Sequence, residues 1–292
     1  MSPFDDIPDT RIFEDYSALK GLKKLDEAPI NQQTALSALG SVVDILEKGK
    51  VPPVVFLSGP TGSGKTYLTK HCFEWERKPN TSNSTMSTVW IKQMNQTKSG
   101  NALRLLCRCF DDQLPSPTDA PSLRCKPSEE VVRGKIQERL QTLSTPVIVI
   151  IDEFTLTAPV ESIIREVLLP LRNEATEPPL GLAFLSYKER YEKLAGCFVD
   201  GGPIHLELNC YSQEETARIL TQKAAVAFKS GAVSEGILEL CAKIAVERNA
   251  TPRGAQELLL RAGAEASLTG ESTVSERHVQ KAVAEIDSTT WS

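Results

Sequence analysis

The sequence contains no long hydrophobic run, and none of its apolar stretches approaches the roughly 20 residues that a membrane-spanning helix needs. Its N-terminal stretch, MSPFDDIPDTRIFEDY, is acidic and lacks the basic and apolar regions of a signal peptide. We therefore expect a soluble, intracellular protein that has no membrane partner.

The sequence also lacks the cysteine and histidine patterns of a disulfide framework or a zinc site. Its 7 cysteines are odd in number and scattered, with no C-x-x-C pair. Cys107 and Cys109 are separated by one residue, but no histidine lies near them in sequence. The 3 histidines are dispersed along the chain (His71, His205 and His278). This distribution favours buried or free thiols over zinc ligands.

A further absence is an overall basic charge. Lysine and arginine number 33 against 38 acidic residues, which gives a formal net charge of −5. A nucleic-acid-binding surface would therefore have to be a local patch. The apolar content of 40% and the charged content of 24% are ordinary for a globular protein, and 292 residues suffice for one to two compact domains.

Predicted strands alternate with predicted helices as far as about residue 210. Short apolar or β-branched runs predict strands at 54–59, 88–95, 146–154, 181–187 and 203–209. Helical spacing and start signals predict helices at 31–48, 65–75, 102–110, 128–143 and 160–171. The polar segment 77–88 and the proline-rich segment 111–128 are typical of loops.

After residue 211 the strand patterns stop, and four helical segments follow (211–228, 234–247, 252–267 and 275–287). Strands alternating with helices, followed by helices alone, predict an α/β domain and then a small all-α domain. The α/β domain would have a parallel sheet with helices on both faces. We divide the chain into an N-terminal lead-in (1–30), the α/β domain (31–210) and the helical domain (211–292).

The sharpest motif is G-x-x-x-x-G-K-T at residues 59–66, which follows a predicted strand and opens a predicted helix. Such a P-loop turns its backbone N–H groups around a phosphate, its lysine reaches the β- and γ-phosphate oxygens, and its threonine hydroxyl ligates magnesium. A glycine-rich turn without a ligand is the alternative, which the flanking strand and helix disfavour. The motif predicts a site for ATP and Mg²⁺ formed by Gly59, Pro60, Thr61, Gly62, Ser63, Gly64, Lys65, Thr66 and the following Tyr67.

A second motif is the apolar run 147–151, which ends in Asp152 and Glu153. Asp152 is expected at the carboxyl edge of the sheet, where ligands bind in open α/β folds. There Asp152 would join Thr66 in holding magnesium, and Glu153 would polarise the attacking water. A strand end that merely meets solvent is the alternative, and the P-loop upstream argues against it.

Two further residues are weaker candidates for the site. Ser186 ends the predicted strand 181–187 and could sit beside the γ-phosphate or simply cap the strand. Arg253 follows Pro252 in the first turn of a predicted helix, where the helix macrodipole disfavours a cation. Arg253 would then either contact a γ-phosphate or form a surface salt bridge.

These motifs, together with YSQEETARIL (211–220), ATPRGAQELLLRAGAEA (250–266) and VSERHVQKAVAEID (274–287), resemble the AAA+ ATPases of the replication-initiator branch. That branch includes the subunits of the origin recognition complex and the related archaeal and licensing-factor proteins. The resemblance covers roughly residues 14–287. It implies an AAA+ base domain followed by a lid.

The resemblance also implies roles for individual residues. Lys65 and Thr66 would belong to Walker A, Asp152 and Glu153 to Walker B, and Arg253 would be the sensor 2 arginine. It further implies that the partners are other AAA+ subunits in a homo- or hetero-oligomeric ring, and duplex DNA contacted mainly through its backbone. The protein would then be nuclear in a eukaryote, and in the cytoplasm or nucleoid of a prokaryote.

Three departures from the family pattern bear on activity. The usual sensor 1 asparagine would fall near Ser186 and Tyr187, and neither is asparagine, so hydrolysis is expected to be slow or differently sensed. Arg190 is the only nearby arginine that could complete a neighbouring subunit's site. The branch's winged-helix domain does not follow the lid here. Either the sequence is truncated or partners supply much of the DNA contact.

Three functions remain open at this point. An ATP-driven initiator subunit is favoured over another AAA+ ATPase, such as a clamp-loader-like or transposition-helper protein. The third is an assembly module that binds ATP with little turnover. Any DNA contact would rest on local clusters of basic residues (Arg104 and Arg108, and Lys20, Lys23 and Lys24).

Overall fold

The computed structural model describes residues 12–20, 29–30, 32–75, 86–114, 128–173, 177–198 and 202–287. The chain divides into two compact units. The sheet unit comprises the described residues of Gln32–Pro60 and Gly64–Leu208. The helical unit comprises those of Met1–Asn31, Thr61–Ser63 and Asn209–Ser292, so residues from both ends of the chain share one unit.

The sheet unit alternates strands and helices. Its elements are α1 (Gln33–Glu47), β1 (Val55–Ser58), α2 (Lys65–Lys70), β2 (Ser87–Lys92), α3 (Ser99–Gln113), α4 (Glu129–Gln141), β3 (Val147–Asp152), α5 (Ala158–Ile163), α6 (Leu169–Asn173), β4 (Leu180–Ser186), α7 (Tyr191–Ala195) and β5 (Ile204–Glu207). A π-helical turn, His71–Trp75, extends α2, and a second, Ile164–Leu168, joins α5 to α6. A short 3-10 turn, Lys188–Arg190, precedes α7.

The five strands form one parallel sheet in the order β2-β3-β4-β1-β5. Because the strands are parallel, all their carboxyl ends lie along the same edge. Strand β4 lies between β1 and β3, so the loop after β1 and the acidic end of β3 share that edge.

Both faces of the sheet are covered by helices. In β3, Val147, Val149 and Ile151 pack against apolar residues of α3, α4 and α5, whereas Ile148 and Ile150 pack against those of α1 and α2. A strand buried on both faces needs a continuous apolar run rather than an alternating one, which explains the sequence VIVII. The predicted fold class, a parallel α/β sheet with helices on both faces followed by a helical domain, is confirmed.

The helical unit contains α8 (Gln213–Ala227), α9 (Glu235–Glu247), α10 (Pro252–Leu268) and α11 (Glu276–Asp287), with a 3-10 turn at Tyr16–Ala18. A capping box begins α8. The backbone N–H of Glu215 donates to the Ser212 hydroxyl over 3.2 Å, and the Ser212 N–H donates to the Glu215 carboxylate over 2.8 Å. This exchange satisfies two N–H groups that a helix start otherwise leaves unpaired.

The N-terminal segment packs onto the helices of this unit. The N–H groups of Glu14 and Asp15 donate to the Ala227 carbonyl over 2.9 and 3.2 Å. The Phe13 ring lies 4.7 Å from the Phe228 ring, and a Cβ atom added at Gly263 would come within 2.5 Å of Phe13. The absence of a side chain at Gly263 on α10 therefore makes room for Phe13, which belongs to the apolar core of this unit.

Two of the boundaries that differ from the prediction have an identifiable local cause. Helix α3 continues to Gln113, into the predicted loop 111–128, because the Gln113 side chain both accepts from the Trp90 N–H and donates to the Trp90 carbonyl, each over 2.8 Å. These bonds pair backbone groups on the free edge of β2, which is one of the two edge strands of the sheet. Strand β2 ends at Lys92 rather than residue 95, because Gln93 turns the chain with a φ of 53°.

Parts of the predicted loops and of the lead-in lie outside the described residues, namely 1–11, 21–28, 76–85 and 115–127.

Candidate nucleotide-binding site

The glycine-rich loop connects the end of β1 to the start of α2. Gly62 and Gly64 have φ angles of 76° and 88°, a left-handed conformation that costs a residue with a side chain about 1–2 kcal/mol. Gly64 is the N-cap of α2, so the first N–H groups of that helix point back toward the loop. Such a helix start, with its positive dipole end, favours phosphate.

Lys65 is the first residue of α2, and its ammonium group lies against the loop. It donates to the carbonyl oxygens of Gly59 and Pro60 over 2.7 and 2.8 Å. It also lies 5.7 Å from the centre of the Tyr187 ring, within the range of a cation–π contact. Burial lowers the pKa of Lys65, and the nearby carboxylates Asp152 and Glu153 partly oppose that shift.

Thr66 and Asp152 meet at the carboxyl edge of the sheet. The Thr66 hydroxyl donates to Asp152 Oδ2 over 2.8 Å, although the two residues lie 86 positions apart. Burial raises the pKa of Asp152, while the bond from Thr66 lowers it. Asp152 Oδ1 is buried and has no hydrogen-bond partner among the described residues. A buried carboxylate oxygen and a neighbouring hydroxyl are hard oxygen donors, so this pair fits Mg²⁺.

Glu153 lies beside this pair, exposed at the strand end. Its φ angle is 55°, an uncommon conformation for a residue with a long side chain. Its N–H donates to the Leu185 carbonyl of the adjacent strand over 3.1 Å, which holds the backbone in this turn. Strained backbone of this kind is concentrated at functional sites.

The remaining predicted residues are placed as follows. Ser186 ends β4, is buried, and its hydroxyl donates to the Phe154 carbonyl over 3.4 Å. Tyr67 is half-buried on α2, and Arg190 is half-buried just before α7. Arg253 is exposed at the second position of α10, in the helical unit. The sheet unit therefore brings together Lys65, Thr66, Asp152 and Glu153, with Ser186 on the strand between β1 and β3. The roles of Ser186 and Arg253 stay predictions.

One polar pair at the base of the loop was missed by the sequence analysis. The Ser58 hydroxyl, at the end of β1, lies 2.7 Å from His205 Nε2 on β5. Burial lowers the pKa of His205. Residues 147 positions apart leave no local signal of such a contact, because it depends on the register of two strands.

Membrane-spanning helices, metal-binding clusters and reactive cysteines are the other features that could indicate a function in the described part of the chain. Within it, no helix is long and apolar enough to cross a membrane, and no group of three or more His, Cys, Asp or Glu side chains is arranged to hold a metal ion. The cysteines described are free thiols, most of them buried, and burial raises the pKa of Cys107 to about 11. Cys125 lies outside the described residues.

Comparison with known families matches two parts of this chain. Residues 50–175 match the AAA domain family, and residues 217–284 match the Cdc6 AAA+ ATPase-type lid domain. The first match contains the P-loop and the acidic end of β3. The second contains Arg253.

Relatives of similar sequence are replication proteins of archaea. The chain is 24% identical to ORC1-type DNA replication protein 1 of Archaeoglobus fulgidus over an alignment 303 positions long, which covers 98% of this chain and 69% of the relative. It is 26% identical over 289 residues to the ORC1-type DNA replication protein of Pyrococcus abyssi, which covers 95% and 66%. The chain spans about two thirds of the length of each.

Solved structures share the fold at lower identity. The ORC2 protein of Aeropyrum pernix, solved as ADPNP–ADP complexes, matches with a TM-score of 0.73 and 19% identity over 96% of this chain and 74% of that chain. The ORC1 protein of the same organism in complex with DNA matches with a TM-score of 0.71 and 20% identity over 95% and 71%. The chain therefore contains an AAA domain followed by a Cdc6 AAA+ ATPase-type lid domain, and it is similar over almost its whole length to ORC1-type DNA replication proteins.

Proposed function

We propose that this protein is an ATP-binding and ATP-hydrolysing AAA+ subunit of a DNA replication initiator or origin-recognition complex. The observation that carries the proposal is the hydrogen bond from Thr66 to Asp152 beside the Lys65 ammonium. This hydrogen bond joins the start of α2, which follows the P-loop, to the acidic end of β3. The Lys65 cation, the Thr66 hydroxyl and the Asp152 carboxylate, grouped at one helix N-terminus, suit a nucleoside triphosphate with Mg²⁺.

Each polar residue of the sheet unit has its own role in the proposed reaction. Lys65 neutralises phosphate charge, and Thr66 and Asp152 hold Mg²⁺ through their oxygens. Bound ATP would supply the γ-phosphorus atom that water attacks, and the bond from that atom to the bridging oxygen of ADP would break, so that ADP and phosphate leave. Glu153 orients that water and accepts its proton, for which its exposed position at the sheet edge is suited. Ser186 and Arg253 are assigned contacts with the γ-phosphate, Arg253 from the lid.

The proposed partners follow from the relatives. The solved ORC1 of Aeropyrum pernix is in complex with DNA, and we assign duplex DNA and other AAA+ subunits to this protein as well. Arg104 and Arg108 are exposed on α3 and would meet phosphates, Lys20 is half-buried, and Lys23 and Lys24 lie outside the described residues. So few contacts give binding that is weak, salt-sensitive and non-specific, with a Kd on the order of 10⁻⁴–10⁻⁶ M.

A second candidate function, an assembly module that binds ATP with little turnover, has one supporting observation. The residue at the end of β4 is Ser186, and its buried hydroxyl is already bonded to the Phe154 carbonyl. A hydroxyl engaged in this way is less able to donate to a γ-phosphate than the free side-chain amide of the asparagine that is usual at sensor 1. The rate of ATP turnover separates the two functions.

The decisive experiment titrates a fluorescent ATP analogue into wild type and Lys65→Ala. Loss of the charge-assisted contact, worth roughly 1.5–3 kcal/mol, should weaken binding by about tenfold or more. Lys70→Ala is the matched control, because Lys70 lies on the same helix and pairs with Glu74 over 3.1 Å. Equal affinities in all three proteins would refute the nucleotide site.

A second variant tests hydrolysis separately from binding. Glu153→Gln keeps the shape of the side chain and removes the charge that polarises water, so ATP should still bind while turnover is lost. A variant that hydrolyses ATP at the wild-type rate removes Glu153 from the mechanism. Absence of turnover in the wild type as well favours the assembly module.

A further inference from the structure

The start of the P-loop is held by a polar contact that lies outside both the P-loop motif (59–66) and the acidic strand-end motif (147–153). Strand β1 lies between β4 and β5, and Ser58, its last residue, is fully buried. A buried hydroxyl needs a hydrogen-bond partner, because its desolvation is otherwise uncompensated. The partner is His205 on β5, at 2.7 Å.

The geometry of the sheet explains why these two side chains meet. His205 is the register partner of Phe56, two residues before Ser58. Side chains two apart on a strand share a face, so Ser58 and His205 form a diagonal pair across β1 and β5. The His205 ring is itself held in place, since Tyr191 stacks on it at 4.2 Å with an interplanar angle of 13°.

Ser58 connects this pair to the phosphate-binding loop. The Leu208 N–H donates to the Ser58 carbonyl over 2.7 Å, so both the backbone and the side chain of Ser58 are bonded to β5. The next residue is Gly59, whose carbonyl accepts from the Lys65 ammonium over 2.7 Å. Ser58 is therefore bonded to β5 and is followed directly by Gly59, which binds Lys65, so a shift of β5 would move the carbonyl that holds the lysine.

We propose that His205 is a positioning residue of the nucleotide site, which acts through its hydrogen bond with Ser58 to fix the start of the P-loop. This role rests on the proposed function. A Ser–His pair also occurs in nucleophilic catalysis, but Ser58 has no exposed surface, and a substrate therefore cannot reach its hydroxyl. The pair acts on the loop, and not on a bound molecule directly.

The test measures the affinity for a fluorescent ATP analogue in single and double variants. Loss of one hydrogen bond should raise the Kd about 3- to 10-fold in His205→Ala and in Ser58→Ala. The double variant should be no weaker than either single one, because both remove the same bond. His205→Gln, which keeps a polar group near the Nε2 position, should recover the affinity to within about twofold of wild type.

The matched control is Ile204→Ala, a neighbouring position on β5 that is 45% exposed, and it should bind as wild type does. Thermal unfolding of each variant separates positioning from folding, since a positioning role predicts that His205→Gln and His205→Ala differ in affinity more than in stability.

The outcomes distinguish this inference from the function on which it rests. If wild type binds the analogue, Lys65→Ala does not, and the His205 variants match wild type, the inference is wrong and the nucleotide site stands. Additive losses in the double variant would also overturn it. If wild type does not bind the analogue, both this inference and the proposed function are wrong.

Discussion

In the sheet unit, Lys65 and Asp152 have pKa values shifted by burial and Glu153 is held in a left-handed conformation, all at one edge of the sheet. In the helical unit, by contrast, nearby side chains pair the starts of α8 and α11, whereas α9 and α10 begin without a side-chain cap. Glu215 completes the cap of α8, and His278 accepts from the Ser275 N–H before α11. Both units therefore contain buried titratable groups and a left-handed non-glycine residue, such as Glu153 or Asn249, but among the described residues only at the sheet edge do these features lie together at the site of the proposed chemistry.

Substitutions in the apolar core of the helical unit should destabilise the protein most. Phe13→Ala should lower the free energy of unfolding of the helical unit by about 3–5 kcal/mol, because it leaves a cavity beside Phe228 and Gly263. Urea unfolding followed by helical circular dichroism measures the loss. Tyr16→Ala is the control, since Tyr16 belongs to the same segment but is 38% exposed. Equal losses in the two variants would show that the segment does not belong to the core.

Strain at the sheet edge gives a prediction of opposite sign. Glu153→Gly and Glu153→Ala should both stop hydrolysis, but the glycine variant should be the more stable of the two by about 1–2 kcal/mol. Only glycine adopts the φ of 55° without steric cost. Urea unfolding of the two variants gives the difference. If alanine is as stable as glycine, the left-handed conformation stores no strain.

The smallest expected effect is the pH dependence of the helical unit. Burial, with Arg277 and Lys281 nearby, lowers the pKa of His278 below its ordinary 6.5, and Glu265 opposes the shift. The unfolded chain thus binds a proton more readily. The stabilisation is complete above about pH 6.5 and is lost as the pH falls through the lower, folded pKa.

The loss of this cap should cost about 0.5–1 kcal/mol. It is measured as the difference in unfolding free energy between about pH 7.5 and about pH 5.5, compared with His278→Gln. The variant should lack this part of the pH dependence. An identical dependence in the two proteins would assign it to other groups, such as His205.

Much of the site could be predicted because its signals are local. The glycines of the P-loop and the apolar run before Asp152 each depend on a few consecutive residues, and their chemistry needs those residues at that spacing. The extent of α3 could not be predicted in this way. Its end is set by Gln113, which bonds the backbone of Trp90 on a strand that lies earlier in the chain.

The sequence by itself determined the class of fold, the loop that suits a nucleotide and the acidic strand end, because periodicity and motif are properties of adjacent residues. Only the tertiary structure decided that Thr66 meets Asp152, that Ser58 meets His205, and that Phe13 completes the core of the distant C-terminal helices. These contacts join residues far apart in the chain. They follow from strand order, register and packing, which exist only once the sheet and the helices have assembled.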